Sequence, residues 1–140
     1  MPVFEQHGKY RLERDGFILK LDASGQVNDE TILAYTQEVL DAVQEFGGEP
    51  FAIYSRYDGQ VLLTHEAESR LRDNIAERVA AGMCAAALNL NNSDYRLIVA
   101  AQIGGLYEEM GVPWREFEKY EDAKSWLEAH IADARQRASG

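Results

Sequence analysis

The run from Met83 to Leu90 does most to limit the fold. Its eight residues are small or apolar apart from Asn89, and breakers close both ends: Gly82 before it, Asn91-Asn92-Ser93-Asp94 after it. Alanine is a poor strand former, so local propensity alone would let the run continue a preceding helix. An apolar segment this short between two breakers reads instead as a central strand buried on both faces.

The flanking segments alternate in the way such a strand requires. Short runs at Lys9–Arg14 and Phe17–Asp22 surround Asp15-Gly16, a hairpin signal because both central positions of a type I′ turn need positive φ. Asn28 or Asp29 can cap a helix running to about Phe46, stopped by Gly47-Gly48, with Ile32, Tyr35, Val39, Val43 and Phe46 on its apolar side. Pro50–Ser55 reads as a strand, and Arg56–Gln60 as a turn-rich stretch. Thr64 is a natural N-cap for a helix through about Ala81, with Ala67, Leu71, Ile75 and Val79 as its buried stripe. Two acid-first i,i+4 pairs, Glu66–Arg70 and Glu68–Arg72, support it.

Tyr95–Met110 fits a return strand at its start, but as a helix it aligns Tyr95, Val99, Ile103, Leu106 and Met110 on one side and stops at Gly111. The helix is the preferred reading. Val112–Glu118 supplies a last short strand, and Tyr120 to about Arg137 a final helix. The order predicts one α/β domain over 1–140 with a core at about 7–131. An opening β-hairpin is followed by alternating α and β, in a four- to five-stranded mixed sheet with four helices.

Charge narrows the function. Twenty-four acidic and fourteen basic residues leave a formal charge of −10, which argues against nucleic-acid binding and against electrostatic docking on an anionic membrane. Residues 26–50 carry six of the acids (Asp29, Glu30, Glu38, Asp41, Glu45, Glu49) and no Lys or Arg, so much of the charge is the solvated face of one helix. No apolar run approaches the ~18 residues of a membrane span, and no signal-peptide core opens the chain. Stable membrane insertion is not expected, and a single cysteine fits a cytoplasmic protein.

Enzymatic motifs are absent. Gly47-Gly48 and Gly104-Gly105 lack the spacing and lysine of a phosphate loop, and no nucleophile elbow occurs. His7, His65 and His130 are far apart, and Cys84 sits in the small-apolar strand as a buried, inert thiol. Neither a metal site nor a cofactor is implied. The connection Ser55–His65 stands out, since ligands of open α/β sheets collect beyond the carboxyl ends of strands. Ser55, Arg56, Tyr57, Asp58 and Thr64 offer hydroxyls, a cation and an acid there, although a polar turn with a capping threonine reads the same way.

The pattern as a whole resembles the SpoIIAA-like superfamily, the STAS domains and the bacterial STAS/SEC14-like group. The resemblance rests on His7-Gly8-Lys9-Tyr10-Arg11-Leu12, Glu45-Phe46-Gly47-Gly48-Glu49-Pro50-Phe51, Leu63-Thr64-His65-Glu66-Ala67-Glu68, Trp114-Arg115-Glu116-Phe117 and Asp122-Ala123-Lys124-Ser125-Trp126-Leu127. It implies the STAS-like fold and a non-enzymatic regulatory or adaptor role exercised through a protein partner. STAS domains of the anti-sigma-antagonist type are phosphorylated on Ser or Thr at the start of the second helix. Thr64 is the matching hydroxyl, but the Asp before and the Gly after are missing, and Glu66 and Glu68 would repel a phosphate. The Sec14-like side of the resemblance implies instead a carrier or sensor of a small apolar or anionic ligand with transient membrane contact.

On the third helix, the helical period sends Leu97, Ala101, Gly104 and Gly105 away from the core. Ala101 and Gly105 at i,i+4 let another backbone or a flat apolar ligand come close. The face therefore suits a homo-oligomer, a ligand, or another helix of the same domain.

Overall fold

The computed structural model describes residues 3–4, 8–25 and 29–139. Seven residues of the small-apolar run form a strand, Met83–Asn89, whose Ala85, Ala86, Ala87 and Leu88 have no measurable exposure. The other strands are β1 (Val3–Phe4), β2 (Gly8–Asp15), β3 (Ile18–Ser24), β4 (Phe51–Asp58) and β6 (Trp114–Glu116), with Met83–Asn89 as β5. Among the described residues the sheet has six strands in sequential order, against the four to five expected, because two-residue β1 pairs antiparallel with β2. β2 and β3 form the expected antiparallel hairpin, and β3 to β6 are parallel.

This order decides where the helices go. Every crossover from β3 to β6 steps the same way across the sheet, so right-handed connections put their helices on one face. That face holds α1 (Asp29–Gln44), α2 (His65–Ala80) and the third helical rod, packed over Leu19, Leu21, Phe51, Ile53, Ala86 and Leu88. Only α5 (Tyr120–Ser139), which follows the last strand, returns across the other face. There Ala123, Leu127 and Ile131 cover Ile18, Ala52, Tyr54, Ala85 and Ala87.

Several local expectations need correction. The hairpin turn has Gly16 and Phe17 as its central pair, since Asp15 faces Ile18. Gly16 alone has positive φ (62°), the pattern of a type II′ turn and not of type I′. α1 ends at Gln44, and Glu45 to Gly48 follow as turns. The expected cap Asn28 lies outside the described residues, as does His7. β4 runs three residues beyond Ser55, because the end of β3 keeps pairing with it: Asp22, Ala23 and Ser24 face Arg56, Tyr57 and Asp58.

The third rod is helical, as its periodicity predicts, but not uniformly so. α3 (Arg96–Val99) and α4 (Gly105–Glu109) are joined by a π turn over Ala100–Gly104. One inserted residue rotates everything after it by roughly 100°. Tyr107 is thereby buried with Val99, Ile103 and Leu106, while Met110 is only partly buried. Gly104 is buried too, contrary to the outward placement that an uninterrupted helix predicts. The edge of the Trp114 indole lies where a Cβ on Gly104 would be.

Candidate functional site

β4 sorts the candidate residues by alternation. Successive side chains of a strand point to opposite faces, so residues expected together on a loop are separated by the sheet. Arg56 and Asp58 lie on the α5 side of the sheet, at the end of β4, where both side chains remain partly exposed. There the Arg56 Nε donates to both carboxylate oxygens of Asp58 at 3.1 Å, and Nη2 donates to Oδ2 at 2.8 Å. The guanidinium is already neutralised, and its hold on its proton is strengthened first by that hydrogen bond. Thr64 is also engaged, its Oγ1 accepting from Ala67 N at 3.0 Å as the N-cap of α2. The sequential order of β3 to β6 further means that those strands have no point of order reversal, the feature that opens a ligand crevice in doubly wound sheets.

Ser55 and Tyr57 point the other way, into the helical layer. They meet a polar cluster that the sequence reading did not single out: Tyr35 from α1, Arg78 and Asn74 from α2, and Tyr107 from α4. Arg78 is 1% exposed, and no ion pair among the described residues includes it. Its Nε donates to Asn74 Oδ1 at 2.7 Å, and Asn74 Nδ2 in turn donates to the Thr36 carbonyl of α1 at 3.1 Å. Three buried atoms are left without a hydrogen bond: Arg78 Nη2, Ser55 Oγ and Tyr35 Oη.

The tyrosines cannot supply the missing negative charge. Burial raises the Tyr107 pKa to about 12 and pushes those of Tyr35 and Tyr57 up as well, although the Arg78 charge opposes this in each case. All three stay neutral at ordinary pH. A buried cation without an anion costs several kcal/mol, so an uncompensated charge lies beneath the carboxyl end of β4.

A narrow slot adjoins the cluster. Tyr35 and Tyr57 belong to both. The remaining wall is mainly apolar, from Ala23 on β3, Ile32 on α1, Val61 and Leu63 in the connection, Leu71 on α2 and Ile103 in the π turn. The slot holds about 30 Å³, enough for one water-sized body. Its wall is tied together by Gln102 of the π turn, whose amide donates to the Leu63 carbonyl at 3.2 Å and accepts from the Leu63 N–H at 3.4 Å. Gly59 anchors the same connection, accepting from Asp94 N at 2.8 Å and donating to the Asn92 carbonyl at 2.7 Å.

The third rod shows a different surface. Leu97 is 84% exposed and Ile98 52%, with Ala101 exposed beside them. Gly105 is half-buried, with open space where a side chain would go. Three of the four residues expected to avoid the core do so, and among the described residues no other helix covers Leu97. Elsewhere, Cys84 is half-buried rather than buried, with its thiol pKa raised by burial, and His130 packs edge-on to Trp126. Among the described residues, no three histidine, cysteine or acidic side chains come together in a way that could hold a metal, and no helix is long and apolar enough to cross a membrane.

Compared with protein-family models and with curated proteins, the chain finds no match in either set.

Proposed function

We propose that the chain is a non-enzymatic regulatory or adaptor domain of the SpoIIAA-like kind, acting in the cytoplasm by binding a protein partner. The observation that carries this reading is the exposure of Leu97 and Ile98 side by side on α3. Covering a large aliphatic side chain contributes roughly 1.5–3 kcal/mol, and a partner helix or strand gains that energy without rearranging the domain. Ala101, one turn further on, keeps the surface low enough for a backbone to approach. The ion pair between Arg96 and Glu116, at 3.1 Å, supplies a polar rim beside the apolar patch, the arrangement typical of interface margins.

A photo-reactive residue in place of Leu97 tests the reading in cells, with the same residue in place of exposed Glu121 on α5 as control. A defined cross-linked partner is expected from position 97 alone, and Ala101→Glu is expected to abolish it. If the partner is a second copy of the chain, the patch is a homo-oligomer interface. Identical cross-linking from positions 97 and 121 would refute the reading.

A further inference from the structure

The buried cluster has a chemistry different from that of the exposed Leu97 surface. Arg78 Nη2, Ser55 Oγ and Tyr35 Oη can each donate a hydrogen bond, all are buried, and none has a partner at hydrogen-bonding geometry, although the two hydroxyls can also accept. They belong to one group of side chains: Ser55 is within interaction range of Tyr57 and Tyr107, and Arg78 within range of Tyr35 and Tyr107. Buried polar groups are nearly always satisfied, so several orphaned donors together mark the place of an absent acceptor. Around a guanidinium with no carboxylate, the acceptor that also balances charge is an anion. With Nε held by Asn74, the unpartnered Nη2 offers a carboxylate a charge-assisted hydrogen bond.

The slot supplies the other half of the description. It reaches the same group at Tyr35 and Tyr57, while Leu63, Leu71 and Ile103 line it with hydrocarbon. A ligand that satisfies both ends has a slender apolar body and one acidic terminus. We infer that the slot is a binding site for a small carboxylic acid with an apolar tail. The carboxylate lies toward Arg78, Ser55 and Tyr35, and the tail extends between Leu63, Leu71 and Ile103. At about 30 Å³ the empty slot is narrower than such a tail, so its walls part on binding. The π turn that carries Ile103 is the wall segment whose helical hydrogen bonding is already irregular.

Ligand charge tests the inference on the purified full chain, by calorimetric titration and thermal unfolding with sodium octanoate, octan-1-ol and octylammonium chloride at neutral pH. Octanoate is expected to raise the melting temperature and to bind at least tenfold more tightly than octanol, with no binding of octylammonium. Arg78→Gln should lower octanoate affinity to the level of octanol. Leu63→Trp, at a half-buried position of the slot wall, should block octanoate while leaving the circular dichroism spectrum unchanged. This second variant decides the matter if Arg78→Gln does not fold. Equal binding of octanoate and octanol overturns the inference by showing an apolar slot without anion recognition. Binding of none of the three overturns it too, and leaves water as the acceptor for the orphaned donors. So does octanoate binding that survives Leu63→Trp. None of these measurements involves a protein partner, so failure here leaves the role of Leu97 standing, and the reverse holds as well.

Discussion

Gly104 and Gly105 are adjacent, and their backbones are nearly identical, at φ −60°, ψ −38° and φ −59°, ψ −37°. Replacing either with alanine brings the same gain in helix propensity, up to about 1 kcal/mol. That gain cancels when the two variants are compared. What remains is the surroundings of the new methyl group. At position 105 it meets nothing within 4 Å, whereas at 104 it would lie 2.3, 2.6 and 2.7 Å from three atoms of the Trp114 indole. The indole is rigid and cannot yield at one end, so the whole ring or the rod must shift, and overpacking of this kind costs about 1–3 kcal/mol. Gly105→Ala should therefore be about 1–3 kcal/mol more stable than Gly104→Ala, with the parent between them or close to the weaker variant. Urea unfolding followed by tryptophan fluorescence measures this directly, since Trp114 itself reports the displacement. Equal midpoints for the two variants would mean that Trp114 does not pack on Gly104 and that the π turn is misplaced.

Thr64→Ala removes the N-cap of α2 and should lower stability by about 0.5–2 kcal/mol without changing partner cross-linking at position 97. Stoichiometric phosphate incorporation at Thr64 by a cellular kinase would instead give this threonine a switching role. Asp15 accepts a hydrogen bond from Tyr120 and pairs with Lys124 at 3.1 Å, and these contacts, the Tyr120 bond foremost, lower its pKa. The stabilisation is present above the unfolded-state value of about 4 and is lost as pH falls through the lower folded-state value. The gap in urea midpoint between the parent and Asp15→Asn should therefore be open at neutral pH and narrow as the pH falls below about 4, and a gap that does not change with pH would refute the assignment.

The fold was legible in the sequence wherever local signals agreed with tertiary demands. Gly82 and the Asn91–Asp94 cluster bound β5 closely, and Thr64 caps α2 as its position suggests. The misread places are those where a partner segment overrides local chemistry. Arg56, Tyr57 and Asp58 have the composition of a turn, yet β3 continues beside them and draws them into the ladder. A helix of regular period gives no warning of the π turn, at whose end Trp114 from a later element packs against Gly104.

The misreading of β4 had the larger consequence for function. A loop would have gathered Ser55, Arg56, Tyr57 and Asp58 on one rim, with Arg56 as the cation available to a ligand. The strand gives Arg56 to Asp58 and leaves that role to Arg78. A signal for Arg78 was present in α2: positions 71, 75 and 78 repeat at the spacing of its buried stripe, and 74 lies between them. Asn74 and Arg78 therefore stand where the pattern calls for apolar residues. A stripe completed with Val79 passes over this conflict between polarity and position. Burying Arg78 at that position works against the stability of the fold; its place in the last turn of α2 and its hydrogen bond to Asn74 offset part of the cost, and no anionic side chain pairs with it among the described residues. That imbalance is the physical ground for placing an acid, and not a neutral lipid or a cation, at the inner end of the slot.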